Sequence, residues 1–290
     1  MTLLTSIERP STTTPPPAMP LGRAVPRRIG GPLRRPASLL QHRRVIGLLL
    51  RRDLKVRYAS SVLGYLWSVL DPLLMALVYW FIFTKIFDRS VGETPYIIFL
   101  MCGLLPWAWF NGAVHDMAKA LRVDGKLVRS TNAPREIWVV RVVLSKGAEF
   151  LFSIPVLAAF AIAYSASVNW RLLLFVPAVL LQVTLLLGIG LMVAPLVVMV
   201  RDLDRIIRIA LRVLFYASPI VYAVRDVPPL WEDVFAWNPL AGVIELCRAG
   251  FFPSQLSWTH VGQSTIVSLG FLVFGWFVFA KLERTVLKEV

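Results

Sequence analysis

A basic stretch that leads directly into an apolar one, at residues 50–83, limits the possible folds of this chain more than any other segment. Its first positions are rich in arginine and lysine, and this density of charge ends at Arg57. The run that follows is apolar and long enough to cross a bilayer, with Asp71 as the one acid before Lys85. We therefore expect the membrane surface near Arg57 and a first membrane span at about residues 62–86.

Composition places the whole chain in the same class. Of its 290 residues, 57% are hydrophobic and 17% are charged, and the mean hydropathy is +0.67, which is too apolar for a soluble globular protein. The hydrocarbon core of a bilayer is about 30 Å thick, so one helical span needs roughly 20 apolar residues. Four further windows contain no Asp, Glu, Lys or Arg: residues 94–114, 150–170, 172–200 and 249–280. The sequence predicts an all-α polytopic membrane protein.

The distribution of basic residues predicts six transmembrane helices with both termini in the cytoplasm. The fifth span is the shortest, because it reaches span length only if it begins near Arg208 and continues to about Val224. With six spans, 26 of the 31 Lys and Arg residues lie in cytoplasmic segments, as the positive-inside rule requires. Five spans would place Lys281, Arg284 and Lys288 on the outer side of the membrane, against this rule. Topology and anionic lipid headgroups thus account for the net charge of +14, and we expect no nucleic acid partner.

The region before the first span divides into two zones. Residues 1–37 are rich in proline and arginine and lack the apolar stretch of a signal peptide, which predicts a disordered cytoplasmic tail. Residues 38–58 predict an amphipathic interface helix that lies on the inner leaflet. At 100° per residue, apolar side chains fall on one side and basic ones on the other: Val45, Ile46, Leu49 and Leu50 against Arg44, Arg51 and Lys55.

Asp71 and Pro72 lie a turn or two into the first span. A carboxylate at this depth costs a few kcal/mol on insertion scales, so it usually faces protein or water rather than lipid. Proline removes a backbone hydrogen bond and tends to kink the helix. Two interpretations stay open: a polar point on a translocation path, or an acid that snorkels to the inner surface or pairs with Arg57 or a neighbouring helix. Glu149 is expected to pair locally with Lys146.

The loop at residues 119–137, after the second span, predicts a short amphipathic helix in the cytoplasm, which the break at residues 132–134 ends. Such a helix is either a solvated connector or an element that docks into a partner, and both interpretations stay open.

The outer segment at residues 225–257 is too polar to span and too apolar for an ordinary loop. Its aromatic residues and the break at Pro239 predict two short helices that re-enter the outer leaflet, with tryptophans at the interface. An aromatic-anchored surface loop is the alternative.

Several kinds of chemistry are missing from the sequence. It contains no GxxxxGK[ST] phosphate loop, no nucleophile elbow and no HExxH motif. Cys102 and Cys247 have no metal-ligand or disulfide spacing, and the three histidines are far apart. Asp202 and Asp204 lie among arginines and predict a salt-bridged cytoplasmic turn. We expect no catalytic residues and no metal, so active transport would draw its energy from another chain or an ion gradient.

Five motifs resemble the membrane subunits of ABC polysaccharide exporters, the type 2 permeases of O-antigen, teichoic-acid and galactan export. They are RDLKVRYASSVLGYLWSVLDPLL, LVRSTNAPREIWVV, VRDL, SPIVY and NPL, and the likeness extends from Ser38 to the C-terminus. The resemblance implies a homodimer of six-span subunits in the bacterial plasma membrane, surrounded by membrane lipids. Each subunit would bind a separate soluble ATPase, two copies in all, which holds the ATP and Mg. No cofactor is expected on this chain. The implied substrate is a polyprenyl-pyrophosphate-linked polysaccharide, similar to lipid-linked cell-wall galactan.

The resemblance also implies roles for particular residues. Residues 38–58 would form the interface helix, residues 122–131 the coupling helix and residues 226–252 the outer gate helices. The coupling residues would be Arg122, Asp124, Lys126, Arg129 and Arg135. The translocation path, where sugar faces stack on aromatic rings, would include Tyr65, Trp67, Asp71, Phe81 and Phe215. The outer gate would include Trp231, Trp237, Glu245 and Arg248.

Two other classes of protein remain alternatives. A membrane-embedded transferase that acts on polyprenyl-linked sugars would need essential acids at the membrane surface, for which Asp202 and Asp204 are the candidates. A non-catalytic membrane scaffold would leave the activity of a partner ATPase unchanged.

Overall fold

The computed structural model describes residues 41–58, 64–86, 95–131 and 133–289, and the regular elements within these ranges are all helical. The predicted disordered tail at residues 1–37 and the first residues of the predicted interface helix, 38–40, lie outside them. The α-helices are α1 Arg43–Tyr58, α2 Trp67–Phe81, α3 Tyr96–Val123, α4 Gly125–Ser130, α5 Glu136–Ala163, α6 Phe175–Met199, α7 Leu203–Ala217, α8 Pro229–Ala236, α9 Pro239–Arg248 and α10 Trp258–Glu289. Shorter helical turns are Gly64–Leu66, Ile82–Ile86, Trp170–Leu174, Val224–Asp226 and Pro253–Gln255.

Five helical segments are long and apolar enough to cross a membrane, which confirms the prediction of an all-α polytopic membrane protein. They are Trp67–Ile86, Tyr96–Val123, Glu136–Ala163, Trp170–Met199 and Trp258–Glu283. The first combines α2 with the turn of π-helix that follows it, and the fourth combines α6 with the 3-10 turn before it.

Two of these segments differ from the charge-free windows of the sequence. The third segment runs from Glu136 to Ala163, whereas the charge-free window covers residues 150–170. The helix can begin earlier than the window because the charged residues Arg141, Lys146 and Glu149 form ion pairs within the fold. Its end is marked by Ser165, which has a positive φ of 50°. The last begins at Trp258, since residues before it form a 3-10 turn.

The fold is built around α3, which is buried along most of its length between α5, α6, α2 and α9. Beside it, α6 and α10 form the most extensive helix pair. A Cβ atom at Gly188 would overlap the backbone of Phe271, and one at Gly275 would overlap the carbonyl of Gly188. Glycine therefore permits direct contact between the two backbones, as small residues do between membrane helices.

The predicted fifth span corresponds to α7, which has 15 residues and is not among the helices long enough to cross alone. Its neighbours show its direction. The Phe215 ring lies 5.4 Å from that of Trp107, and the Tyr96 hydroxyl donates a hydrogen bond of 2.9 Å to the carbonyl of Val221. The chain therefore runs antiparallel to α3 from α7 to Val221.

The interface helix begins at Arg43 and packs against α5. Leu49 is buried, and Val45 and Ile46 are partly buried against the core. Arg51 on the opposite side is exposed. These residues thus divide between bundle and surface as the helical periodicity predicts.

Candidate functional site

The main candidate site is a cleft of about 570 Å³ between α2, α3 and α7, here called the α2–α7 cleft. The central helix α3 forms its floor, and α2 and α7 form its walls. It is lined by Asp71, Pro72, Met75, Tyr79, Leu104, Trp107, Ala108, Asn111, His115, Arg208, Leu211, Arg212, Phe215 and Tyr216.

One part of the α2–α7 cleft is aromatic. Phe215 lies at its centre: its ring centroid is 6.0 Å from that of Tyr79 in a stacked arrangement. Trp107 and Tyr216 meet Phe215 edge-on, at centroid distances of 5.4 and 5.2 Å. Aromatic side chains that line a cleft offer apolar surface together with the polar groups of Tyr and Trp, a combination that suits sugar rings.

The other part of the cleft is charged. Asp71 and Arg212 both line it, and within the described ranges neither forms an ion pair. Arg208, one helical turn before Arg212, pairs with Asp204, which confirms the predicted salt bridge in this turn. Ionisable groups at membrane depth are costly unless they face protein or water. The cleft therefore combines apolar and aromatic side chains with a few ionisable groups.

Arg57 does not pair with Asp71, so this structural alternative for that acid is wrong. Its guanidinium contacts Asp116 at 2.6 Å and Glu149 at 3.0 Å instead. Glu149 also pairs with Lys146 at 2.9 Å, as the sequence predicted.

The structure brings together two of the five predicted path residues, Asp71 and Phe215, in the cleft. Trp67 and Phe81 are both about half exposed and lie on α2 outside it. The side chain of Tyr65 lies outside the described residues.

Sequence reasoning missed several residues of the cleft. On α2, Tyr79 follows Asp71 by eight residues and so lies on the same helical face. On α7, Arg212 and Phe215 share a face with Arg208 in the same way. This spacing was available in the sequence, but the contribution of Trp107 depends on how α3 packs.

The predicted coupling residues differ in their surroundings: Arg122 is exposed to solvent, whereas Asp124 and Arg135 form hydrogen bonds within the chain. The helix itself is shorter than predicted: α4 begins at Gly125, and Arg122 is an exposed residue of the last turn of α3. Lys126 and Arg129 lie on α4, and their side chains are outside the described part of the structure.

The other two predicted coupling residues are bound within the chain. The buried Arg135 donates hydrogen bonds of 3.0 Å to the carbonyls of Thr131 and Ala133, and so stabilises the turn after α4. The carboxylate of Asp124 receives hydrogen bonds from Arg141 at 2.6 Å and Arg52 at 3.0 Å.

The predicted outer gate consists of two unlike helices, α8 and α9, which match the helix–break–helix pattern. Trp231 and Trp237 on the α8 side are about half exposed. In contrast, α9 is buried from Leu240 to Arg248. The side chain of Asn238 accepts a hydrogen bond from the Leu240 N–H, and this N-cap begins α9.

The two charged residues of the predicted gate are buried and form contacts within the chain. Arg248 is 1% exposed and donates a hydrogen bond of 2.6 Å to the carbonyl of Ile220, while its guanidinium lies 3.5 Å from the centre of the Phe99 ring. Glu245 is paired with Nδ1 of His260 at 2.7 Å. Both gate residues therefore join α9 to neighbouring segments.

Burial changes the pKa values of both groups. It raises the pKa of Glu245, an effect that the hydrogen bond to His260 partly offsets. It lowers the pKa of Arg248 to about 10, so the guanidinium keeps its charge at neutral pH.

The described residues contain no group of three His, Cys, Asp or Glu side chains that could hold a metal ion. Cys102 and Cys247 are buried free thiols, as expected for packing residues.

Comparison with known proteins identifies the family. A model of the ABC-2 type transporter family matches residues 44–252. The O-antigen export system permease protein RfbA of Klebsiella pneumoniae is 32% identical over 81% of this chain and 91% of its own length. RfbA of Myxococcus xanthus is 31% identical over 76% of this chain and 84% of its own length. The polysialic acid transport protein KpsM of Escherichia coli is 26% identical, with corresponding coverages of 76% and 88%. These matches confirm the resemblance seen in the sequence motifs, and the chain belongs to the ABC-2 type transporter family.

Proposed function

We propose that this chain is the permease subunit of an ATP-driven exporter that moves a lipid-linked cell-surface polysaccharide across the bacterial plasma membrane. The relatives named above are permeases for O-antigen and a transport protein for polysialic acid, and both cargoes are polysaccharides. Among such cargoes we propose galactan of the cell wall, linked to polyprenyl pyrophosphate, because the composition of the chain and its N-terminal tail resemble those of galactan exporters.

The observation that carries the proposal is the α2–α7 cleft. Its aromatic rings, grouped around Phe215, provide surfaces on which sugar faces can stack without strong sequence specificity. The unpaired charges of Asp71 and Arg212 keep it polar at a depth where the rest of the surface is apolar. A polymer that is rich in hydroxyl groups fits both properties better than a hydrophobic cargo does.

Exposed apolar side chains flank this cleft, which supports a homodimer that closes it. On α2 and α7 they include Leu74, Val78, Phe81, Ile209 and Val213. A second subunit related by two-fold symmetry would place the same surfaces opposite each other. The translocation channel would then run between the subunits. Trp67 and Phe81 would face it from the surface of α2 that is directed towards the second subunit.

We propose a topology of six crossings with both termini in the cytoplasm. The fifth crossing would consist of α7 together with residues 218–221, since this stretch follows α3 towards its N-terminal end. In that topology α8 and α9 form a re-entrant hairpin that enters the membrane from the outside. Exposed tryptophans on α8 suit such an interface.

The energy would come from a separate ATPase, because the sequence contains no phosphate-binding loop. Two copies of that subunit would dock on α4 and the end of α3, where Arg122 is exposed. ATP and Mg would bind to the partner, and this chain would act as a transport subunit rather than as a catalyst.

Purification of the full chain from bacterial membranes tests the central claim. A soluble ATPase should co-purify in equal amount, and vesicles that contain both chains should move polyprenyl-linked polysaccharide only when ATP is present. Galactan and O-antigen, compared as cargoes in the same vesicles, test the substrate.

The control is the chain alone in vesicles. Transport of polymer or formation of glycosidic bonds by the isolated chain would refute the proposal. Loss of such bond formation in Asp202→Ala or Asp204→Ala variants would instead identify a transferase. An ATPase activity that does not respond to this chain would favour a scaffold.

A further inference from the structure

Four charged side chains from three parts of the fold meet at the cytoplasmic end of the bundle. The centre is Arg141 on α5: its Nη1 donates to Oδ2 of Asp124 at 2.6 Å, and its Nε lies 2.9 Å from Oδ2 of Asp53. The second of these contacts is ionic, since Nε has no hydrogen-bond partner. Arg52 completes the group, at 3.0 Å from Asp124 and 3.3 Å from Asp53. We call these four residues the Arg141 clamp.

The clamp is largely removed from water. The side chains of Arg141, Asp124 and Asp53 are 7%, 12% and 15% exposed. The guanidinium of Arg141 also lies over the ring of the buried Trp138, 5.2 Å from its centre. Loss of one member of a buried ion pair leaves an uncompensated charge, so each member depends on the others.

The members of the clamp come from three separate elements of the fold. Asp53 belongs to the interface helix α1, and Asp124 is the single residue between α3 and the coupling helix α4. Arg141 lies on α5, after the turn that ends α4. One side chain thus connects both helices that face the cytoplasm to a membrane span.

Both oxygens of Asp124 are engaged within its own chain, Oδ2 by Arg141 and Oδ1 by Arg52. A carboxylate in this arrangement has little surface left for another protein. This differs from the role that the sequence motifs imply for Asp124, a residue that docks on the ATPase.

We propose that Arg141 is a positioning residue that makes α1, the junction of α3 with α4, and α5 move as one body, and that Asp124 acts through Arg141 rather than by contact with the ATPase. The second half of this inference rests on the proposed function, in which α4 receives the ATPase. The first half concerns this chain alone and holds whatever binds to α4. A push on α4 would reach the membrane spans and the interface helix together.

Distance measurements on the chain without its partner test the rigid connection. Spin labels would be attached to Leu48→Cys on α1 and Val123→Cys at the end of α3, two strongly exposed positions; both native cysteines are buried. Labelled protein is diluted with unlabelled protein so that only distances within one chain contribute. The expected result is one narrow distribution, which broadens in Arg141→Gln.

Two further variants make this test specific. Arg141→Lys keeps the charge but cannot hold two carboxylates in a planar fork, so it should broaden the distribution as well. Arg51→Gln is the matched control: Arg51 is exposed on α1, next to Arg52 but outside the clamp, and its loss should leave the distribution narrow. A narrow distribution in both Arg141 variants would overturn the proposal, and Arg141→Lys also serves if Arg141→Gln does not fold.

Reconstitution with the ATPase tests the role of Asp124. Asp124→Asn and Arg141→Gln should each lower the polymer transported per ATP by at least about fivefold, the lower end of typical coupling between sites. The double variant should be no worse than either single one, and equal amounts of ATPase should still co-purify.

The outcomes separate the two claims. If Asp124→Asn weakens co-purification of the ATPase while Arg141→Gln does not, Asp124 is a docking residue and this half of the inference is wrong. If no ATPase binds the unmodified chain, the proposed function fails, while the distance measurements still decide whether the clamp exists.

Discussion

Replacing Gly188 by alanine should destabilise the protein, although the same change at Gly270 on the partner helix α10 should not. A Cβ atom at Gly188 would overlap the backbone of Phe271 and Leu272 on α10. Backbone cannot rotate away as a side chain can, so α6 and α10 would have to separate. Overpacking of this kind costs about 1–3 kcal/mol, and the better helix propensity of alanine returns at most about 1 kcal/mol.

Two other glycines provide a graded comparison. At Gly190 the new Cβ would meet the side chains of Met117 and Val139, and a flexible methionine can shift, so the loss should be smaller than at Gly188. At Gly270 no atom lies within 4 Å of the new Cβ. Gly270→Ala should therefore raise stability by up to about 1 kcal/mol through helix propensity alone.

Unfolding of the unmodified protein and the three purified variants in detergent, followed by circular dichroism in a denaturant titration, gives the four free energies of unfolding. The order from least to most stable should be Gly188→Ala, Gly190→Ala, unmodified protein, Gly270→Ala. Equal stability of Gly188→Ala and Gly270→Ala would refute the reasoning, because it would mean that the backbones of α6 and α10 do not touch.

Three further changes probe the cleft and the outer helices. Phe215→Ala removes the centre of the aromatic group and should weaken binding of oligosaccharide by about 1 kcal/mol, or roughly fivefold in Kd, in a fluorescence titration. The control Phe277→Ala, on an exposed face of α10, should leave the Kd unchanged. Equal effects of the two changes would argue against sugar stacking in the cleft. Asn238→Ala removes the N-cap of α9 and should lower stability by about 1 kcal/mol in thermal unfolding; an unchanged midpoint would show that the cap contributes nothing. Because burial raises the pKa of Glu245 above 4.5, the unfolded chain releases its proton first, and stability should fall as pH rises from 4.5 to the folded pKa. Glu245→Gln should flatten this dependence, with Oε1 still able to accept from His260, and a slope equal to that of the parent would contradict the assignment.

Much of the architecture was predictable because membrane spans depend on local properties. Length and hydropathy alone locate the five long spans, since each must hide its own backbone in hydrocarbon. The ends of those spans were less predictable. The third begins at Glu136 because Arg141, Lys146 and Glu149 have partners in the fold, and hydropathy does not record partners.

The candidate site was predictable only in part for a similar reason. Asp71 and Phe215 were identified from their chemistry and from the resemblance to exporters, and both line the α2–α7 cleft. Trp107 comes from a different helix, and nothing in its local sequence distinguishes it from other buried aromatic residues. The helical spacing of Arg212 was visible in the sequence. That it forms no ion pair with any acid in the described part of the chain depends on where those acids lie in space.

The order of apolar runs and basic flanks along the chain is sufficient to establish a polytopic membrane protein and to predict its orientation, because the bilayer acts on each segment separately. The sequence did not show, in contrast, which acid pairs with which base. Asp124 has a base two residues away on each side in the sequence, Arg122 and Lys126. It nevertheless binds Arg52, 72 positions before it, and Arg141, 17 positions after it. Ion pairing depends on distances of a few ångströms, and only the packing of α1, α3 and α5 sets those distances.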